Sequence, residues 1–172
     1  VTTDPPEAAV TETPTPTPTA EPAPEAEAGT RANPLAVGEF RKLTTESMWT
    51  VGAEGATEVH DAYVVLPLRI AFDWASYAQQ IADAGQGGSV DDGIDPWGSL
   101  MIEYVTAGGR SYNTMDNYNV TIPNQFYDVG TVYPPAEQVS VNVPVSVPNE
   151  EIPGGTWVVK NYNNDAVFIA TQ

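Results

Sequence analysis

The sequence has no cysteine and only one histidine, His60. The missing thiols remove Cys nucleophiles, disulfide frameworks and Cys-ligated zinc together. Basic residues are scarce as well: six Lys and Arg stand against 23 Asp and Glu, for a formal charge of −17. Nucleic acid and anionic membrane surfaces are disfavoured as partners, because phosphate binding demands the opposite sign. Long apolar runs are missing too, so no transmembrane helix is predicted.

A further absence is local. Residues 1–32 contain no Leu, Ile, Phe, Tyr, Trp or Met, while Pro, Thr, Ala and Glu recur throughout. Such a stretch cannot bury enough apolar area to offset roughly 1–2 kcal/mol of backbone entropy per residue, so 1–32 is expected to be a disordered acidic linker. The run Thr13-Pro14-Thr15-Pro16-Thr17-Pro18 favours extended polyproline II geometry, at about 3.1 Å per residue. This predicts a spacer. The chain opens Val1-Thr2-Thr3-Asp4-Pro5-Pro6, without an initiator Met or a signal-peptide core. A trimmed end is expected there, with a lipidated cysteine just upstream, as in a bacterial lipoprotein anchored at the cell surface.

Residues 33–172 have the length of one domain with an ordinary core, needing no disulfide or metal staple. Strand patterns dominate. In Ala62–Trp74 the even positions Val64, Leu66, Leu68, Ile70, Phe72 and Trp74 are apolar, with Arg69 and Asp73 on the other face. In Gln138–Val147 five valines alternate with Ser140, Asn142, Pro144 and Ser146. Pro144 cannot donate to a ladder, which places this strand at a sheet edge or a bulge. Shorter strands are predicted at Val37–Leu43, Met48–Ala53, Ser99–Thr106 and Arg110–Thr114, and around Tyr118, Val120 and Ile122. The last two, Thr156–Tyr162 and Ala166–Thr171, flank Asn163-Asn164, which tolerate the positive φ of a hairpin turn. Eight or nine short strands point to an antiparallel sandwich or barrel. One stretch departs: Ser76–Ala84 predicts a short helix, with Ser76 as N-cap and Gly85 as stop. Beyond it, Asp95-Pro96-Trp97-Gly98 suits a type I turn.

The order of these features resembles a known family. Asn33-Pro34-Leu35-Ala36-Val37-Gly38-Glu39 follows the spacer, then come a Trp-bearing strand (Trp49) and the long alternating strand Tyr63–Asp73. A hairpin at Gly109-Arg110-Ser111-Tyr112 and a Val-rich strand ending in Val147-Pro148 complete the series. The layout resembles the immunoglobulin-like domain of secreted antigens and lipoproteins from actinobacteria and related bacteria, a family largely of unknown function. It departs from that pattern after the long strand, where Trp74-Ala75-Ser76 and the helical insertion replace the usual Asn-Thr/Gly turn. The resemblance implies an all-β, antiparallel immunoglobulin-like β-sandwich and carries over no catalytic residue.

Candidate chemistry is sparse. Asp61 follows His60, but neighbouring side chains on an extended strand point to opposite faces, and no Gly-X-Ser-X-Gly elbow is present. No catalytic residue is assigned and no enzyme is predicted. Asp91-Asp92-Gly93-Ile94-Asp95 concentrates carboxylates beside a glycine, as calcium loops do, although the EF-hand spacing is absent. Asp91, Asp92 and Asp95 are therefore the candidate metal ligands, with Ca2+ as the candidate ion and no cofactor otherwise. Tyr77 and Trp97 are the candidate ligand-binding aromatics, because exposed Trp and Tyr form platforms for sugars or anchors for protein partners. The leading expectation is a non-catalytic, extracellular binding or adaptor domain, with a protein or glycan partner at the cell surface. The alternatives are a calcium-binding adhesion module and a carboxylate-dependent hydrolase.

Overall fold

A computed structural model describes residues 27–85, 87–116 and 120–172. The longest strand, β4 (Tyr63–Phe72), organises the first sheet. Its even positions Val64, Leu66, Leu68 and Ile70 are completely buried, as the period-two pattern predicts. Along one edge of β4 lie β2 (Trp49–Ala53) and β3 (Glu58–His60), and β1 (Arg41–Lys42) pairs with β2. Along its other edge runs β7 (Gln138–Ser146), in register Leu66↔Val143 and Leu68↔Val141. The second sheet has the order β6 (Ser111–Asn113), β5 (Leu100–Val105), β8 (Thr156–Asn161) and β9 (Ala166–Ile169). All of these strand pairings are antiparallel.

Buried residues of both sheets join in one cluster. Leu66, Leu68, Ile70 and Val143 come from the first, and Ile102, Tyr104, Trp157, Val159 and Ile169 from the second. Two antiparallel sheets sharing one core form the layout of a β-sandwich. β7 pairs with β4 alone among the strands, so it is an outer strand, and Pro144 withholds its missing N–H from no inner ladder. Asn164 adopts φ 63 in the β8–β9 turn, as expected for that position.

Five sequence expectations are corrected. The alternating run does not reach Trp74, which instead opens helix α1 (Trp74–Ala84). The N-cap is Asp73 rather than Ser76: its backbone is extended and its carboxylate accepts from the Ser76 N–H at 3.0 Å. Gly85 ends the helix at φ 62, as predicted. The Asp95–Gly98 turn is the first turn of a short helix, α2 (Pro96–Ser99), capped by Asp95. Asp before Pro suits both structures, because a type I turn and a helical first turn share their backbone angles. The run Val37–Leu43 yields only two strand residues, because Gly38 turns at φ 89 and the Glu39 N–H folds back onto the Ala36 carbonyl. Val120 and Ile122 belong to no strand; a one-residue bridge, Gln125↔Asn142, and the Asn142 amide donating to the Pro123 carbonyl at 2.8 Å tie that region to β7, and Tyr118 and Asn119 lie outside the described residues. β3 is a strand beyond those predicted, and its hairpin turns through Ala62 at φ 63, a conformation an alanine seldom signals.

Residues 1–26 of the expected acidic linker lie outside the described residues. Contacts with the sheets begin before the predicted boundary at 32/33. Arg41 pairs with Glu27 and donates to the Ala28 carbonyl, and the Phe168 N–H donates to the Gly29 carbonyl at 2.8 Å. Among the described residues, no helix is long and apolar enough to cross a membrane.

Candidate functional site

The two candidate aromatics belong to different neighbourhoods. Tyr77 sits on α1, where its ring meets Trp74 edge-on at 6.1 Å. Trp74 in turn stacks on Phe72, and its indole N–H donates to the Ala136 carbonyl at 2.6 Å. This row of rings seals one end of the core. Tyr77 is half-buried and packs on that core, so its ring serves α1 packing.

Asp73 anchors the same helix. Its carboxylate accepts from Lys42 Nζ at 2.6 Å and from the Ser76 N–H and hydroxyl at 3.0 and 2.9 Å. The Lys42 hydrogen bond, then the two from Ser76, hold this carboxyl well below the ordinary carboxylate value of 3.8, against a smaller opposing effect of burial. A depressed folded-state pKa contributes stability above the unfolded value, and that contribution is lost as pH falls below 3.8 towards the folded value. Asp73→Ala should therefore cost about 1–2 kcal/mol near neutral pH, through the lost cap and a half-exposed ion pair. Urea titrations at descending pH should show wild type and variant converging in acid. A constant gap at every pH would refute the assignment.

The acidic loop is used for local caps. The Ser89 hydroxyl accepts from the Asp91 N–H at 3.1 Å, and Asp92 returns a carboxylate to the Ser89 N–H at 2.9 Å, closing a reciprocal cap around the turn Val90–Asp92. Asp95 spends one carboxylate oxygen on the Trp97 N–H at 3.0 Å. Among the described residues no three acidic or histidine side chains gather as a metal-ligand set, so Asp91, Asp92 and Asp95 are not brought together.

Trp97 is different. It is half-buried, braced from the core side by Phe126, whose ring meets it edge-on at 5.4 Å. One flank of Trp97 forms part of a groove of about 340 Å³, together with Leu100, Met101, Met115, Asn161 and Tyr162. Met101 and Met115 are about half exposed there, and Tyr162 is 81 % exposed. Three separate segments make this groove: α2 and the start of β5, the turn after β6, and the β8–β9 hairpin. The register Leu100↔Asn161 brings the first and third side by side, and the Tyr162 hydroxyl donates to the Gly98 carbonyl across them. Asn161 has no free amide to offer a ligand through its oxygen. That atom accepts from the Asn163 and Asp165 N–H groups, while its amide nitrogen donates to Asp165 at 2.8 Å. Apolar and polarizable groups thus make up most of the groove wall, with Ser99, Thr114 and Asn164 as its further polar members.

Met101, Met115 and Tyr162 escaped the sequence reading. Met101 carried a signal: it occupies an outward position of an alternating strand, between Leu100 and Ile102, where a polar residue is the norm. His60 stacks on Tyr63 at 4.5 Å and lies 3.4 Å from Glu58, on an exposed strand edge with no hydroxyl nucleophile bonded to it. No family profile, curated protein or solved structure matches this chain.

Proposed function

We propose that this chain is a non-catalytic binding or adaptor domain of immunoglobulin-like sandwich type, displayed outside the cell on its Pro/Thr/Glu spacer. Its partner is a polypeptide that seats apolar side chains in the groove beside Trp97. The observation that carries this reading is the exposure of Met101, Met115 and Tyr162 around one concave surface. Flexible thioethers adapt to apolar protein anchors, and aromatic rings supply large contact area at low entropic cost. The two-sheet scaffold supports the immunoglobulin-like assignment, and the strong negative charge suits a solvated, crowded surface.

A photo-reactive amino acid placed at Met101 tests the groove directly in the producing cell. A discrete cross-linked adduct is expected from Met101, and none from the more exposed Val59 on β3. Identical adducts from both positions, or none from either, would remove the groove from consideration.

A further inference from the structure

A second cleft, of about 230 Å³, opens on another side of Trp97. Its walls include Trp97, Thr114, Gln125, Tyr127 and Asp128. The short helical turn Phe126–Asp128 organises it: Phe126 is buried against the core, while Tyr127 and Asp128 are exposed. The rings of Trp97 and Tyr127 stand at 89° with centroids 5.2 Å apart, so they form two walls of a corner. Asp128 stands at that corner and, among the described residues, takes part in no ion pair.

These walls select one ligand chemistry. An aromatic face presents the negative side of its quadrupole and attracts a cation within about 6 Å of the ring centroid. A carboxylate beside it supplies a full opposite charge. A hard metal ion is poorly served: it needs six or more oxygens, and the cleft offers one carboxylate beside the neutral side chains of Thr114, Thr121 and Gln125. An anion meets repulsion from Asp128 and from a chain charge of −17. An organic ammonium fits these walls best: its alkyl shell packs on the rings, the carboxylate balances its charge, and Thr114, Thr121 and Gln125 supply neutral polar groups for any N–H it carries. We propose that the cleft between Trp97 and Tyr127 binds an organic ammonium group, with Asp128 as counter-ion. The group comes from a small quaternary amine or from a lysine side chain on a polypeptide. The cleft shares Trp97 and Thr114 with the Met101 groove but has its own walls in Gln125, Tyr127 and Asp128, and the substitutions that test it lie outside that groove.

The probes are choline, a blocked lysine amide, and the neutral alcohol in which carbon replaces the nitrogen of choline. The full chain is titrated while the indole N–H resonance of Trp97 is followed by NMR. A saturable shift with one or both cations is expected, and the tighter cation identifies the source. Tyr127→Leu should weaken binding about tenfold. Asp128→Asn should weaken it about threefold and flatten its salt dependence. Both substitutions alter exposed side chains, so folding is not at stake. Equal binding of the neutral alcohol, indifference to Tyr127→Leu, or no saturable shift would each overturn the proposal. None of these results bears on the Met101 cross-link, so the two readings fail independently.

Discussion

Replacing Trp157 with alanine should lower the unfolding free energy by about 3–5 kcal/mol, the largest loss expected from any single truncation in this domain. Trp157 is completely buried near the start of β8. Across one ladder it faces Tyr104, whose ring it meets edge-on at 5.1 Å and 79°. Across the other ladder it faces Ile169. Its indole N–H donates to the Thr57 hydroxyl at 2.8 Å, a bond that ties the second sheet to the segment entering β3. Truncation empties an indole-sized volume between strands that cannot collapse inward without breaking their ladders. Trp157→Phe separates the two contributions, since it keeps much of the volume and loses the hydrogen bond, worth about 1 kcal/mol. Urea unfolding followed by far-ultraviolet circular dichroism measures both. A loss under about 1.5 kcal/mol for the alanine variant would mean that the sheets do not share one core.

Gly52→Ala should destabilise by about 2–3 kcal/mol, although it adds a single methyl group. A Cβ at Gly52 would lie 2.1 Å from the Glu39 carbonyl oxygen and 2.6 Å from a Phe40 ring carbon. The first contact is with backbone, so no rotamer change relieves it. That backbone is itself held, because the Gly38 N–H donates to the Ala53 carbonyl at 2.9 Å. The Phe40 ring is held as well, since the Arg69 guanidinium lies 3.8 Å over it. Gly55→Ala is the matched control, with its nearest neighbour, a Pro67 ring carbon, at 3.7 Å. Thermal melts of the pair should separate by several degrees. Equal melting temperatures would show that the 36–40 segment is free to lift off β2.

Both effects depend on contacts that sequence patterns do not reveal, yet much of the scaffold was legible. β4 and β7 were read nearly to the residue, because one face of each is dry and the other wet, and that alternation is written directly into side-chain type. The β8–β9 turn was legible for a local reason: Asn tolerates the positive φ that the turn demands. Ala62 takes the same conformation without a residue that favours it, and so β3 went unread. The start of α1 slipped because Asp and Ser are both good caps; here Asp73 carries the cap, accepting from the Ser76 N–H, with Lys42 on β1 as a further partner.

The candidate site divided in the same way. Trp97 was picked out as an aromatic beside a turn, and the structure gives it two clefts. Tyr77 looked equivalent in sequence but packs on the core beside Trp74. Asp91, Asp92 and Asp95 looked like a ligand set because they are close in sequence. Two of them spend carboxylate oxygens on backbone N–H groups instead, as short polar side chains before a helical turn readily do.

By itself, then, the order of residues determined an acidic chain, strands with one greasy side, and those reversals that carry a turn-favouring residue, such as Asn163-Asn164 and Gly85. Each of these follows from a side chain's own affinity for water or from its own torsional limits, which act over a few neighbours. The three-dimensional fold decided which distant side chains share a surface. Met101, Met115 and Tyr162 meet because β5 pairs with β8 on one side and with β6 on the other, each in one register, and those registers are selected by burying the whole core at once.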